Sequence, residues 1–311
     1  MIKVVVAGGT PEYTDKWRER FAKACSSMEF IGWDANGAAV DADYAVVWRP
    51  PAELFLRERR LKAIFNLGAG VDSLLRLPEL PRGLPVVRVE DAGMARQMIE
   101  YAVHGLIHLT RNFDEYAGLQ RAGQWKPLPP VLPRKWPVGV MGQGVIGGQV
   151  AQAIANLGYP VAGWSRSRRE LQGVQSYAGA EELPAFLERT RVLVNVLPLT
   201  PETENILNRD TLGRLLPGGY LINVARGLHV VDEDLLALID SGHLQGALLD
   251  VFREEPLPAG HPYWRHPKIR VTPHIAAISL EEETVSQILG KLEQLQAGQA
   301  ISGIVARGNG Y

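Results

Sequence analysis

Val138-Gly-Val-Met141-Gly142-Gln-Gly144-Val-Ile-Gly147 joins a short apolar run to a glycine-rich turn, and a helical pattern follows through Val150, Ile154 and Leu157. The run predicts a buried strand, and each glycine has a physical task. The first permits a tight turn, the second lets backbone approach a pyrophosphate, and the third lets helix and strand pack closely. The helix N-terminus then faces the phosphates. An ordinary strand-to-helix turn would need no such spacing, so the stretch predicts a dinucleotide site in a parallel α/β sheet.

Working outward, Val161–Trp164, Val192–Val196, Tyr220–Val224, Ala247–Val251 and Ile269–Thr272 are further apolar runs, each preceded by a turn or a helical pattern. With Val138–Met141 they make the strands of a doubly wound dinucleotide fold. Upstream, Ile2–Ala7, Tyr44–Trp48, Ala63–Leu67 and Val86–Val89 predict a second, smaller open sheet. Between the two sheets lies a long helical pattern from Met94 to Arg121, then a Pro-rich stretch from Trp125 to Pro137 that can be neither helix nor central strand. A last amphipathic pattern from Leu280 to Gln296 is placed to return to the first sheet. The expected organisation is a dinucleotide-binding domain over residues 97–278, inserted in a discontinuous domain made of 1–96 and 279–311.

Composition restricts the partners. Basic and acidic residues number 33 and 34, for a net charge of −1, so no global field draws the chain to nucleic acid or to an anionic membrane. No apolar run approaches the length of a membrane span, and the N-terminal residues lack the pattern of a signal peptide, which predicts a cytoplasmic protein. The single cysteine, Cys25, reads as packing. His104 and His108 are four apart on the long helix, yet no third ligand accompanies them, and no metal site is expected.

The end of the strand Val161–Trp164 bears on the cofactor. A site for NAD places Asp or Glu there against the ribose hydroxyls, whereas one for NADP supplies a cation for the 2′-phosphate. This chain has Trp164-Ser165-Arg166-Ser167-Arg168-Arg169, which offers a guanidinium fork and hydroxyl donors and no acid. Ser165, Arg166 and Ser167 therefore point to NADPH as the preferred cofactor, with NAD as the lesser choice. A solvated basic turn is the competing reading.

Arg226, Glu255 and His274 each stand just past one of three consecutive strands of the second sheet, where ligands of such sheets bind. Reduction of a carbonyl beside a carboxylate needs a cation for the carboxylate and ketone, a proton donor for the developing alkoxide, and a group that keeps the donor protonated. Arginine, histidine and glutamate have those properties, since a carboxylate against one imidazole nitrogen favours a charged ring and aims the other nitrogen outward. Singly, a salt bridge, a core histidine and a surface acid would explain them; together their placement points to catalysis.

Gly142-x-Gly-x-x-Gly147, Leu197-Pro-Leu-Thr-Pro-Glu-Thr203, Asn223-Val-Ala-Arg-Gly227, Asp250-Val-Phe-x-x-Glu-Pro256 and Pro273-His-Ile-Ala276 resemble the D-2-hydroxyacid dehydrogenase family over nearly the whole chain. Intervals of 29 and 19 residues between Arg226, Glu255 and His274 match that family's catalytic residues. The resemblance implies two doubly wound domains, a Rossmann domain inserted in a flavodoxin-like substrate domain, with the reaction in the cleft between them. It also implies a cofactor site at Gly142, Gly144, Val145, Ile146, Gly147, Pro198 and Ala225, a substrate carboxylate received by the amides of Ala69 and Gly70, and a homodimer. Val47-Trp-Arg-Pro-Pro51, Trp125-x-Pro-Leu-Pro129, Trp164-Ser-Arg166 and Leu228-His-Val-Val231 are similar to one branch of the family, NADPH-preferring reductases of glyoxylate and hydroxypyruvate, in which Trp48 would cap a small pocket. Leu228 and Val231 depart from the wider family, which carries a small residue and an acid there. An NAD-dependent enzyme for another 2-hydroxy acid and a non-catalytic nucleotide-sensing protein on the same scaffold are the alternatives.

Overall fold

The structure is a computed structural model that describes residues 1–306. The chain divides into two compact units at Gly93/Met94 and Ile278/Ser279, so that Met94–Ile278 is a continuous segment and the flanking segments form the other unit.

The flanking unit carries β1 (Ile2–Gly8), β2 (Met28–Gly32), β3 (Tyr44–Trp48), β4 (Ala63–Asn66) and β5 (Val86–Arg88). They pair in the order β2-β1-β3-β4-β5, all parallel, the flavodoxin-like winding. The last helix, Glu281–Gln296, belongs to this unit, where Glu281 pairs with Lys16 and Arg20 of the helix Pro11–Ala24. The chain beyond it returns to β5, with the Arg88 amide donating to the Gly303 carbonyl at 2.9 Å and the Val305 amide to the Val86 carbonyl at 2.8 Å.

The continuous unit carries β6 (Val138–Met141), β7 (Val161–Ser165), β8 (Val174–Ala178), β9 (Val192–Asn195), β10 (Gly219–Asn223), β11 (Leu244–Leu249) and β12 (Ile269–Val271). Their order is β12-β11-β10-β9-β6-β7-β8, all parallel, a Rossmann sheet extended by one strand. Successive side chains of its central strands serve opposite faces. Val138, Val140, Val192, Val194, Ile222 and Leu248 pack with Met98, Ala102, Leu106, Val150 and Ile154 of two helices. Met141, Leu193, Leu221, Ala247 and Leu249 pack with Phe186, Leu187, Leu235 and Ile239 on the other side. A sheet covered on both faces requires unbroken apolar runs, which is why these strands were legible.

Two strands were not. β2 and β8 lie at sheet edges, are only partly buried, and mix polar with apolar residues, so neither has the run of an interior strand. The long helical pattern is also two helices, Met94–Thr110 and Phe113–Arg121. Asn112 interrupts it in the left-handed region at φ 53°, a conformation that breaks the hydrogen-bond ladder and that asparagine tolerates better than most residues. Among the described residues no helix is long and apolar enough to cross a membrane.

Candidate active site

The glycine-rich turn has the geometry a dinucleotide needs. Gly142 has φ 96°, and a Cβ at Gly147 would lie 1.9 Å from the Gly142 carbonyl oxygen, so only glycine allows this helix to start so near its strand. A Cβ at Gly144 meets nothing within 4 Å. That open side adjoins the N-terminus of the helix Val145–Asn156, where backbone amides and the helix dipole favour an anion. The turn therefore fits the pyrophosphate of a dinucleotide.

At the end of β7 the basic residues separate. Arg168 donates to the Ser176 carbonyl at 2.7 Å and pairs with Glu182, which ties it to β8 and the helix Gly179–Glu188. Arg166 is exposed, and its positive charge helps hold the Glu202 carboxyl below the usual range, after hydrogen bonds from Thr200 and from Glu202's own backbone. Ser165 donates its hydroxyl to the Ser167 carbonyl at 2.8 Å, which closes the turn on itself. The structure thus makes Arg168 a strut and leaves Arg166 at the strand's tip.

Past β10, β11 and β12 the three residues singled out at the strand ends, Arg226, Glu255 and His274, assemble. Nδ1 of His274 lies 2.8 Å from Oε2 of Glu255, and Oε1 of that carboxylate accepts the Phe252 amide at 3.0 Å. Burial pushes the Glu255 carboxyl up, but the hydrogen bonds from His274 and Phe252 and the charges of His274 and Arg226 outweigh it and hold the group below the usual carboxylate range. Arg226 is brought in by its neighbour: a Cβ at Gly227 would sit 1.8 Å from the Phe252 carbonyl carbon, so glycine alone lets the β10 loop press against the β11 loop. Nη1 of Arg226 donates to the Ala225 carbonyl at 2.7 Å. With Nδ1–H held by a carboxylate, Nε2 accepts from a neutral ring and donates from an imidazolium, and 43% of the His274 side chain is open to receive a ligand.

Sequence reasoning missed what holds His274. Its φ is 56°, in the left-handed region, and Asp250 sustains that conformation. The Asp250 carbonyl accepts the His274 amide at 2.8 Å, and its buried carboxylate accepts the Thr272 hydroxyl at 2.6 Å and the amides of Ile275 and Ala276 at 2.8 Å each. Tyr101, from the helix Met94–Thr110, reaches the Thr272 hydroxyl; burial drives its phenol up to about 12, so it stays a neutral hydrogen-bonding group. An aspartate just past a strand and two residues ahead of a buried Phe was the available signal.

The predicted substrate residues belong to the flanking unit. Trp48 ends β3 and packs so closely on the next loop that a Cβ at Gly68 would fall 2.4 Å from its ring. Arg49 lies over that ring, 5.8 Å from its centroid. Ala69 and Gly70 follow β4 in a loop organised by buried Asn66, whose amide donates to the carbonyls of Gly68 at 2.8 Å and Gly70 at 2.9 Å. In a trans peptide the N–H points opposite to the carbonyl, so the Ala69 amide faces away from Asn66. His108 lies 3.2 Å from Asp114, but burial and the charge of Arg270 hold its imidazole below the usual range, and the charged partner of Asp114 is Arg270.

Residues 103–276 match the model of the D-isomer specific 2-hydroxyacid dehydrogenase NAD binding domain. Over 300 residues the chain is 47% identical to glyoxylate/hydroxypyruvate reductase A of Salmonella paratyphi B, covering 95% of this chain and 96% of that protein. A D-isomer specific 2-hydroxyacid dehydrogenase from Xanthobacter autotrophicus Py2, solved with NADPH and MES, superposes with a TM-score of 0.93 at 35% identity over 99% of both chains. An NADPH-dependent glyoxylate/hydroxypyruvate reductase from Sinorhizobium meliloti, solved with NADP and sulfate, gives 0.91 at 36% identity over the full length of both. Sheet order, strand-end chemistry and similarity along the whole chain agree, and the chain belongs to the D-isomer specific 2-hydroxyacid dehydrogenase family.

Proposed function

We propose that the protein reduces small 2-oxo acids with NADPH, glyoxylate to glycolate and hydroxypyruvate to D-glycerate. The observation that carries this reading is the contact of His274 Nδ1 with Glu255 at 2.8 Å beside the Arg226 charge. When bound, NADPH supplies the hydride. Arg226 holds the substrate carboxylate and polarises its ketone, and the amides of Ala69 and Gly70 are further receivers of the carboxylate. His274 gives its Nε2 proton to the carbonyl oxygen as charge develops there, and Glu255 stabilises the imidazolium and fixes its orientation. Trp48 is proposed to limit the pocket to small substrates. Gly142, Gly144, Val145, Ile146 and Gly147 hold the pyrophosphate, and Pro198 and Ala225 complete the cofactor site.

The preference for NADPH over NADH rests on Arg166, Ser165 and Ser167 standing where an NAD site would carry an acid. The relatives named above as glyoxylate/hydroxypyruvate reductases, and the neighbours holding NADPH or NADP, support the same reading. A homodimer is proposed from the helix Phe113–Arg121, which buries none of its own residues, and from Phe113, Tyr116, Trp125 and Leu132, exposed apolar residues of that helix and of the segment after it that a second copy would cover. The cytoplasm is the proposed compartment.

The test is a panel of 2-oxo acids assayed with each reduced nicotinamide. Consumption of NADPH with glyoxylate and hydroxypyruvate, faster than with NADH or with longer 2-oxo acids, is the expected outcome. No turnover of any 2-oxo acid, with cofactor binding intact, would favour a nucleotide-sensing protein.

A further inference from the structure

A fully buried polar cluster lies beneath the site, and the mechanism above does not use it. Asn195 ends β9, Asn223 ends β10, His229 closes the short turn Gly227–His229, and all three are wholly inaccessible. Oδ1 of Asn195 accepts the Leu197 amide at 3.2 Å, which fixes Nδ2 as its donor. That nitrogen donates to Oδ1 of Asn223 at 3.0 Å and lies 2.9 Å from Nδ1 of His229. Nδ1 must therefore accept. The ring proton is on Nε2, which donates to the Pro198 carbonyl at 3.3 Å. Asn223 continues the chain, accepting the Ala225 amide at 3.2 Å and donating to the Arg226 carbonyl at 3.1 Å.

One connected set of hydrogen bonds thus runs from Pro198 to Arg226: Asn195 meets the loop at the Leu197 amide, and His229 meets it at the Pro198 carbonyl, which also accepts the Thr203 hydroxyl at 2.8 Å. An apolar side chain of similar size would fill the same space without the cost of burying polar groups that need partners. What it would not do is fix the spacing of the two loops.

We propose that His229 is a positioning residue, which through Asn195 and Asn223 sets the Pro198 loop of the cofactor site in register with Arg226. The inference rests on the reductase reading for its catalytic consequence, because hydride transfer loses rate steeply when donor and acceptor are displaced. The network itself depends only on the fold.

The experiment compares wild type, His229→Leu and His229→Gln for melting temperature, for the NADPH dissociation constant by fluorescence titration, and for glyoxylate kinetics at saturating NADPH. In His229→Leu the dissociation constant is expected to rise several-fold and kcat to fall on the order of ten- to a hundred-fold. The KM for glyoxylate should stay within about twofold. His229→Gln, which keeps one acceptor and one donor, should recover most of both losses. Wild-type binding and kcat in His229→Leu, or equal losses in the two variants, would overturn the proposal. Nitrogen-15 NMR of the wild-type imidazole provides a readout independent of any variant's folding: a neutral ring protonated on Nε2 is expected, and a proton on Nδ1 contradicts the network. If wild type reduces no 2-oxo acid, the reductase reading fails, while the dissociation constants and the ring nitrogens still judge the role of His229.

Discussion

Asp250 holds His274 by the backbone: its carbonyl accepts the His274 amide at 2.8 Å while its carboxylate accepts the two amides that follow. A left-handed histidine is therefore kept in place by a buried acid whose hydrogen bonds go to the backbone and to Thr272.

Asp250→Ala should release that loop. The substitution leaves the Thr272 hydroxyl and two amides without their acceptor, and a loss on the order of 3 kcal/mol is expected from a broken buried network. Thermal unfolding with NADPH absent checks the stability, and kcat for glyoxylate should fall with it. Unchanged stability would mean that the loop is held by other contacts.

Arg166→Glu should reverse the cofactor preference. Placing an acid at the end of β7 removes a cation for the 2′-phosphate and offers a partner to ribose hydroxyls. The KM for NADPH should rise on the order of tenfold or more, with a much smaller change for NADH. Equal effects on the two would remove Arg166 from the cofactor site. Arg168→Ala, by contrast, should affect both cofactors alike, since its partners are Ser176 and Glu182.

Acid should loosen the flanking unit through Glu90. Burial pushes its carboxyl up, but hydrogen bonds from Ser302 and Lys291 and the charges of Lys291 and Arg88 outweigh that and hold it below the usual range. A carboxyl lowered by folding contributes stability that is present above its unfolded pKa of about 4.5 and is lost as pH falls through the folded value. Glu90→Gln should thus be less stable than wild type near neutrality and should lose less on acidification. Parallel stability curves for the two proteins would contradict the assignment.

Trp125→Asp should weaken self-association. Trp125 is wholly exposed beside a helix with no buried face of its own, and a charge there would oppose burial against a second copy. Light scattering across a dilution series should find the variant dissociating at higher concentration than wild type. The same midpoint for both would place the interface elsewhere.

How much of this was written in the chain follows from how each part is stabilised. Strands buried on both faces must be apolar runs, so the interior of each sheet was legible, whereas β2 and β8 at the edges had no such requirement. The glycine turn was legible because two close approaches, at Gly142 and Gly147, admit no other residue. Arg226, Glu255 and His274 could be singled out because their chemistry is carried at strand ends. Asp250, Asn66, Asn195, Asn223 and His229 received no role of their own, although three of them stand in the quoted motifs, because a polar residue at a strand end looks like an ordinary turn until its partners, distant in sequence, are in place. The break at Asn112 was missed because the apolar spacing continues across it.

In the proposed reaction His274, held by Glu255, donates the proton that accompanies hydride transfer. The most direct test of that step is the rate of NADPH oxidation by glyoxylate in His274→Ala, measured together with the NADPH dissociation constant. A fall in kcat on the order of a hundred- to ten-thousand-fold is expected, with NADPH affinity nearly unchanged; near-normal turnover in that variant would mean that another group gives the proton.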